Sequence, residues 1–404
     1  MKSVRSTIKT AGCRIFQYGM KAANYFVPYR TPEYIEGLNS SIELAAVLKS
    51  KGLDDILFIT GSDILELGLP LPLLDEMKAQ GLHFTVLSFD HPDPNCSDVE
   101  RGYRVFLENG CRAIVAMGGG SRMDCAKGIA AKAAHPDREI TQLQGLLKVH
   151  GKVPPLIAVP TTSGTGSETT VAAVITDEKT RHKAPVNDPV LIPVYAILDP
   201  LLTADMPPFL TATTGMDALC HAVEAYTNHT YNTKLENDMA KEAVKLIHDN
   251  IFTAFNDGSN INARRNMQRA AFCAGRAFTR GCVGYVHAVG HTLGGLYGVP
   301  HGLAMAVLLP KVMRQFGSKA HRRLAELADV CGINGYTDYH KANAFIDWIE
   351  ESNRNMGLPD KFDVIQENDI DRIIKWAMKE ANPLYPVPVI WDREDFRKLI
   401  DTVR

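Results

Sequence analysis

Apolar positions fall into two textures along the chain. In the first half, short unbroken apolar runs alternate with stretches of helical period. The runs Asp55–Thr60, Phe84–Phe89, Ala113–Met117 and Leu156–Val159 each stop at Gly61, Asp90, Gly118 or Pro160. Segments 41–50, 71–80, 97–109 and 121–134 lie between them with helix-like spacing. Strands alternating with helices predict βαβ units around a parallel sheet, and unbroken apolar strands are expected where both sheet faces are covered. After Leu198-Asp199-Pro200 the β-branched runs stop. Helical patterns then occupy 212–228, 235–257, 262–280, 303–316, 318–330 and 338–355. The last element has Phe396, Leu399, Ile400 and Val403 at i, i+3, i+4 and i+7, with Asp392 placed to cap it. The expectation is an α/β N-terminal domain with a parallel sheet over residues 1–200, followed by an all-α C-terminal domain over 201–404.

Composition narrows the class of function. The chain has 404 residues, 44 Lys+Arg against 46 Asp+Glu, and 45% hydrophobic residues. Near-neutral charge without a block of one sign argues against nucleic acid and membrane surfaces as partners, and no apolar run reaches the roughly 20 residues of a membrane span. Eight scattered cysteines with no paired spacing read as reduced thiols, which predicts a cytoplasmic protein. The first 32 residues lack acidic side chains and carry Lys2, Arg5, Lys9, Arg14, Lys21 and Arg30, a bias found in transit peptides. Tyr18, Tyr25, Phe26 and Tyr29 in the same stretch read instead as packing residues.

Two loops carry the signature of a phosphate or nucleotide cradle. The strand at 113–117 runs into Gly118-Gly119-Gly120-Ser121 and then a helix with Asp124 and Lys127. Glycines let a backbone approach a ligand closely, and a helix start offers free N–H groups to a diphosphate. The motif is neither G-x-G-x-x-G nor a Walker A loop, so a plain strand-to-helix turn accounts for it equally well. The next strand ends in a second loop, 160–168, whose residues between Pro160 and Glu168 are all Thr, Ser or Gly. There Thr161, Thr162 and Thr165 suit hydrogen bonding to ribose, phosphate or an amide. Two such loops on neighbouring strand ends strengthen each other.

The second half carries candidate metal ligands. Asp217 and His221 stand at i, i+4 and share a helical face, as do His287 and His291. Pro300-His301-Gly302 follows shortly after. Carboxylate and imidazole without thiolate suit a borderline divalent cation, whose charge would polarise a substrate oxygen. Five candidates exceed what an open catalytic site needs, so one histidine is expected to serve another task.

Taken in order, these segments resemble the iron-containing (group III) alcohol dehydrogenases from about residue 30 onward. The carriers are Gly118-Gly119-Gly120-Ser121 with Asp124 and Lys127, Pro160-Thr161-Thr162-x-Gly164-Thr165, Gly215-x-Asp217-x3-His221, Gly284-x2-His287-x3-His291-x9-His301-Gly302 and Asn382-Pro383. The resemblance implies a dinucleotide-binding domain followed by a helical metal-binding domain. It implies that Asp217, His221, His287 and His301 hold Fe2+, with Zn2+ the alternative, and that His291 is unligated near the nicotinamide. A proton relay is the catalytic role expected of His291, with orientation of a ligand as the alternative. The implied activity is NAD(P)-linked interconversion of a small primary alcohol and its aldehyde. Glycerol dehydrogenase-like and maleylacetate reductase-like enzymes remain alternatives, as does a metal-dependent hydrolase or lyase. A homodimer or larger even homo-oligomer is expected, since closed dimers are the commonest assembly.

Cofactor choice is read at the end of the strand 55–60. An acidic residue there would bind the adenosine ribose and repel a 2′-phosphate. Here that position is Gly61, followed by Ser62, which can donate to phosphate. NADP(H) is therefore expected to be preferred, with NAD(H) usable. Asp63 could supply the acidic group, and no Lys or Arg follows at once to meet the phosphate. Asp124 and Lys183 complete the cofactor-binding candidates.

Overall fold

The computed structural model describes residues 4–90, 93–180 and 182–404, so Lys2 lies outside the described residues. The chain forms two compact units, one made of Pro28–Met206 with Gly258–Phe272, the other of Met1–Val27, Pro207–Asp257 and Cys273–Arg404.

The first unit is built on β1 (Glu33–Glu36), β2 (Asp55–Gly61), β3 (His83–Phe89), β4 (Ala113–Gly118), β5 (Gly145–Leu146), β6 (Leu156–Pro160), β7 (Ala172–Asp177), β8 (His182–Asn187) and β9 (Tyr195–Leu198). Six of these form a parallel sheet in the order β1-β9-β6-β4-β2-β3. Unbroken apolar strands are explained by helices on both faces. Ile56, Phe58, Val115, Met117 and Ile157 pack with Leu44, Leu48, Leu73 and Met77. Their strand neighbours Leu57, Ile59, Ile114, Ala116 and Leu156 pack oppositely with Val99, Phe106 and Ile129. From β2 the chain moves outward to β3 and returns to β4 on the other side of β2, so the strand order reverses between β2 and β4. Such a switch point is where open α/β sheets bind ligands, outside the carboxyl ends of the strands. The short β1 and β9, and the antiparallel pair β7–β8 with β5 beside it, were not apparent in the sequence.

The second unit is helical, and the expected helices appear within a few residues of their sequence bounds. Its central helix is Pro208–Asn228, in which every residue from Gly215 to Asn228 is buried. Asp392 caps Arg393–Val403, accepting from the N–H groups of Glu394 and Asp395. Among the described residues, no helix is long and apolar enough to cross a membrane.

These units depart from a division at residue 200 at the N-terminus and at an internal segment. The helix Val4–Asn24 belongs to the helical unit, held by polar contacts rather than by its aromatics. Arg14 Nη2 donates to the carbonyls of Val387 and Pro388 at 2.8 and 2.9 Å, and Gln17 Nε2 to those of Pro383 and Tyr385 at 3.0 and 2.9 Å. Tyr18, Tyr25 and Phe26 are exposed, contrary to the packing role expected of them. Conversely, residues 258–272 join the α/β unit, because Gln268 Nε2 donates to the carbonyls of Pro160 and Asp199, and Arg264 to those of Ala204 and Met206.

Asp199, just past β9, fastens the sheet to the helix Ser40–Ser50. Its Oδ2 accepts from Ser41 Oγ at 2.6 Å and from the Ser41 N–H at 3.2 Å, and its Oδ1 accepts from the Leu201 N–H at 3.1 Å. Asp199→Ala would strand these buried donors, and we expect a loss of about 2–4 kcal/mol. Chemical denaturation should show a lower midpoint, with Asp199→Asn losing less.

Candidate functional site

The polar cluster of the helical unit is assembled from three helices. Asp217 and His221 sit one turn apart on Pro208–Asn228, His287 on Tyr285–Tyr297, and His301 is the first residue of His301–Phe316. One donor atom from each lies within 4.8 Å of those of the other three. Asp217 Oδ1 is 3.7 Å from His221 Nδ1, 3.9 Å from His287 Nε2 and 3.3 Å from His301 Nε2. Phe278 stacks on the His221 ring at 4.1 Å and fixes its plane. Glycine is needed at position 302, where a Cβ would lie 2.4 Å from the Thr213 carbonyl oxygen. Pro300-His301-Gly302 thus starts a helix against the backbone of the Asp217 helix.

Glu224 orients the cluster. It lies two turns beyond Asp217 and is buried. Its carboxylate accepts the N–H groups of Gly284 and Val286, both at 2.8 Å, and approaches His287 Nδ1 at 2.6 Å. Those bonds close the start of the Tyr285–Tyr297 helix. They also assign the His287 proton to Nδ1 and leave the Nε2 lone pair facing Asp217. Sequence reasoning gave Glu224 no role, although its spacing from Asp217 and His221 places it on their side of the helix.

The cluster contains buried donors and acceptors without partners. Asp217 Oδ1, His221 Nδ1 and His287 Nε2 are each buried and make no hydrogen bond. Burial would raise the Asp217 carboxyl, yet the surrounding imidazoles of His221, His301 and His287 hold it below the ordinary carboxylate range. Burial pushes His221 down to about 3 and His287 well below the usual imidazole value, so both rings are neutral and able to donate a lone pair. Leaving three such atoms unsatisfied costs several kcal/mol. One carboxylate and three imidazoles around one point fit a borderline divalent cation. His291 is outside this set. Its Nδ1 pairs with Glu380 Oε1 at 2.8 Å, where Tyr385 also donates its hydroxyl at 3.1 Å, and its ring stacks on His301 at 5.3 Å.

The other predicted residues cluster at the strand ends of the α/β unit. Gly118 closes β4, and the helix Gly120–Ala134 begins after Gly119. The Thr161 N–H donates to the Gly118 carbonyl at 3.0 Å, and a Cβ at Gly120 would lie 2.9–3.1 Å from Thr165 side-chain atoms. Only glycine at 120 lets the two loops approach this closely, with Thr162 near Gly119 and Ser121 following in the first turn. Free N–H groups at the start of a 15-residue helix fit a diphosphate. Asp124 and Lys127 brace the loops from behind. Asp124 accepts from Ser167 Oγ and the Val174 N–H at 3.0 and 3.1 Å. Lys127 Nζ is buried among oxygens of Ser167, Thr170 and Ala172 at 2.7–3.1 Å, and burial lowers it to about 8.

Besides Asp124, which braces the loops rather than facing a ligand, two cofactor candidates sit differently from their expected roles. Ser62 gives its hydroxyl proton to Asp90 Oδ1, so it is engaged rather than offered to a phosphate. Lys183 on β8 is exposed and pairs with Asp93 at 2.7 Å, although its charge reaches Asp124. Gly61 ends β2, and Arg122, to which no role was given, reaches it from the Gly120–Ala134 helix.

A parallel α/β sheet with loops shaped for a dinucleotide, and a buried carboxylate–imidazole set, are the equipment of a metal-assisted dehydrogenase. Comparison with known proteins agrees. Residues 31–200 match the family described as iron-containing alcohol dehydrogenase, and residues 211–403 match the C-terminal domain of the Fe-containing alcohol dehydrogenase family. The chain is 36% identical to the NAD-dependent methanol dehydrogenase of Bacillus methanolicus over 89% of its own length and 94% of that protein. It is 37% identical to alcohol dehydrogenase 4 of Schizosaccharomyces pombe, over 85% of this chain and 82% of the relative. The solved alcohol dehydrogenase from Oenococcus oeni superposes with a TM-score of 0.89 at 31% identity, covering 94% of this chain and all of that one. The chain belongs to the iron-containing alcohol dehydrogenase family, whose alcohol–aldehyde interconversion is its activity.

Replacing Asp217, His221, His287 or His301 by Ala should each empty the metal site, read by metal analysis of protein purified without oxygen. We expect Glu224→Gln to weaken metal affinity by about 10- to 100-fold in competition with a chelator, because His287 loses its anchoring carboxylate.

Proposed function

We propose that this protein is an NAD(H)-using oxidoreductase for small primary alcohols and their aldehydes, with Asp217, His221, His287 and His301 holding Fe2+. The observation that carries the metal assignment is the convergence of Asp217 Oδ1, His221 Nδ1 and His287 Nε2, all buried and unbonded, in a member of this family. When bound, the ion supplies positive charge beside a substrate oxygen, and the nicotinamide takes or returns a hydride. Asp217 offsets part of the ion's charge. Glu224 keeps the His287 lone pair turned inward, and Phe278 holds the His221 ring. His291 is the residue proposed to hold and pass the alcohol proton: its Nδ1–H donates to Glu380, which leaves Nε2 to take up and release a proton. Gly118, Gly119, Gly120 and Ser121 are proposed to cradle the diphosphate, with Thr161, Thr162 and Thr165 beside it.

The methanol dehydrogenase of Bacillus methanolicus is named NAD-dependent, which speaks for NAD(H) and against the preference for NADP(H) expected at Gly61. We propose that NADP(H) is accepted as well. A homodimer or larger even assembly and a cytoplasmic location complete the proposal; no disulfide joins the eight cysteines.

Absorbance of the reduced nicotinamide should report turnover with ethanol to butanol and their aldehydes, and removal of the metal by chelation should abolish it. Absence of turnover across that panel would overturn the reading. His291→Ala should retain its metal and lose activity in a pH-dependent manner, whereas an emptied site would make His291 a ligand instead. Light scattering at micromolar concentration should give an even multiple of the monomer mass.

A further inference from the structure

The strand order reverses between β2 and β4, and both strands end in glycine there. Arg122 joins the two ends. A Cβ on Gly118 would lie 2.5 Å from Arg122 Cγ and 3.0 Å from its Cβ, and a Cβ on Gly61 would lie 3.1 Å from Nε and 3.4 Å from Nη2. The aliphatic stem therefore crosses the end of β4, and the guanidinium arrives at the end of β2. Gly61 has an ordinary extended backbone, φ −95°, so conformation does not demand glycine there. Its missing side chain leaves space instead, and that space is shared by the guanidinium and Asp63 Oδ1, which would lie 2.2 Å from a Cβ. Arg122 is buried, at 8% exposure.

The end of β2 is where a dinucleotide fold reads the adenosine ribose: a carboxylate binds the hydroxyls, and a nearby arginine accommodates a 2′-phosphate. Here both groups stand at one strand end. We propose that Arg122 is the specificity-determining residue for the 2′-phosphate of NADP(H), with Asp63 left to the unphosphorylated ribose of NAD(H). The proposal rests on the dinucleotide reading of the Gly118–Ser121 loop. A guanidinium offers a planar fork of donors that matches two phosphate oxygens, which a serine hydroxyl does not. The sequence places no basic residue directly after β2, and tertiary structure brings one from the helix following β4.

The test uses full-length protein and two ligands that differ only in the phosphate: ADP-ribose and 2′-phospho-ADP-ribose, titrated calorimetrically. Arg122→Met keeps the stem over Gly118 and removes the charge. It should weaken 2′-phospho-ADP-ribose by about tenfold or more, the size of one charge-assisted hydrogen bond, and leave ADP-ribose within about twofold. Arg122→Lys should fall between the two, and it decides the matter if the Met variant does not fold. Equal weakening of both ligands, no change in either, or a wild type that binds ADP-ribose but not its 2′-phosphate would overturn the role of Arg122. A wild type that binds neither would overturn the dinucleotide reading itself, and this proposal with it.

Discussion

The helical unit depends on one buried carboxylate. Glu224 satisfies two N–H groups at the start of the Tyr285–Tyr297 helix and fixes the His287 ring in the same stroke. A helix start buried without such a partner leaves donors unpaired, so Glu224 settles where that helix begins and which way its histidine faces. Burial pushes the Glu224 carboxyl up to about 7 despite these donors. The Cys220 thiol, 3.8 Å from His287 Nδ1, is likewise driven well above its usual value by burial.

The α/β unit solves a different problem. Two loops must lie close together at the ends of β4 and β6, where the Thr161 N–H donates to the Gly118 carbonyl and Gly120 meets Thr165. Asp124 and Lys127 act from behind, tying the helix Gly120–Ala134 to Ser167, Thr170, Ala172 and Val174. Their polar groups are consumed by this bracing. Of the residues that define the loop motif, Asp124 and Lys127 thus hold the loops in register, and the glycines let them approach.

Much of the fold was legible because its signals are local. Unbroken apolar runs predicted a sheet covered on both faces, and β2, β3, β4 and β6 appear where expected. The strands β1 and β9 carry only four residues each, too few for a pattern, and exist because neighbours pair with them. The Val4–Asn24 helix misled for a related reason. Its aromatics suggested packing, whereas Arg14 and Gln17 hold it by binding carbonyl groups from a distant stretch of chain, which no local pattern encodes.

The sequence by itself determined the chemistry of both halves: the i, i+4 spacing of Asp217 with His221, the Pro-His-Gly start of a helix, and the glycine and threonine loops after their strands. These are one-dimensional because each is carried within a single turn or loop. Only tertiary structure decided how residues from different helices share one point. It gathered His301 and His287 with Asp217 and turned His291 to Glu380. It also laid Arg122 across Gly118 to the end of β2. Those outcomes depend on how elements cross and on which side chain leaves room for another, and such information lies in packing rather than in order along the chain.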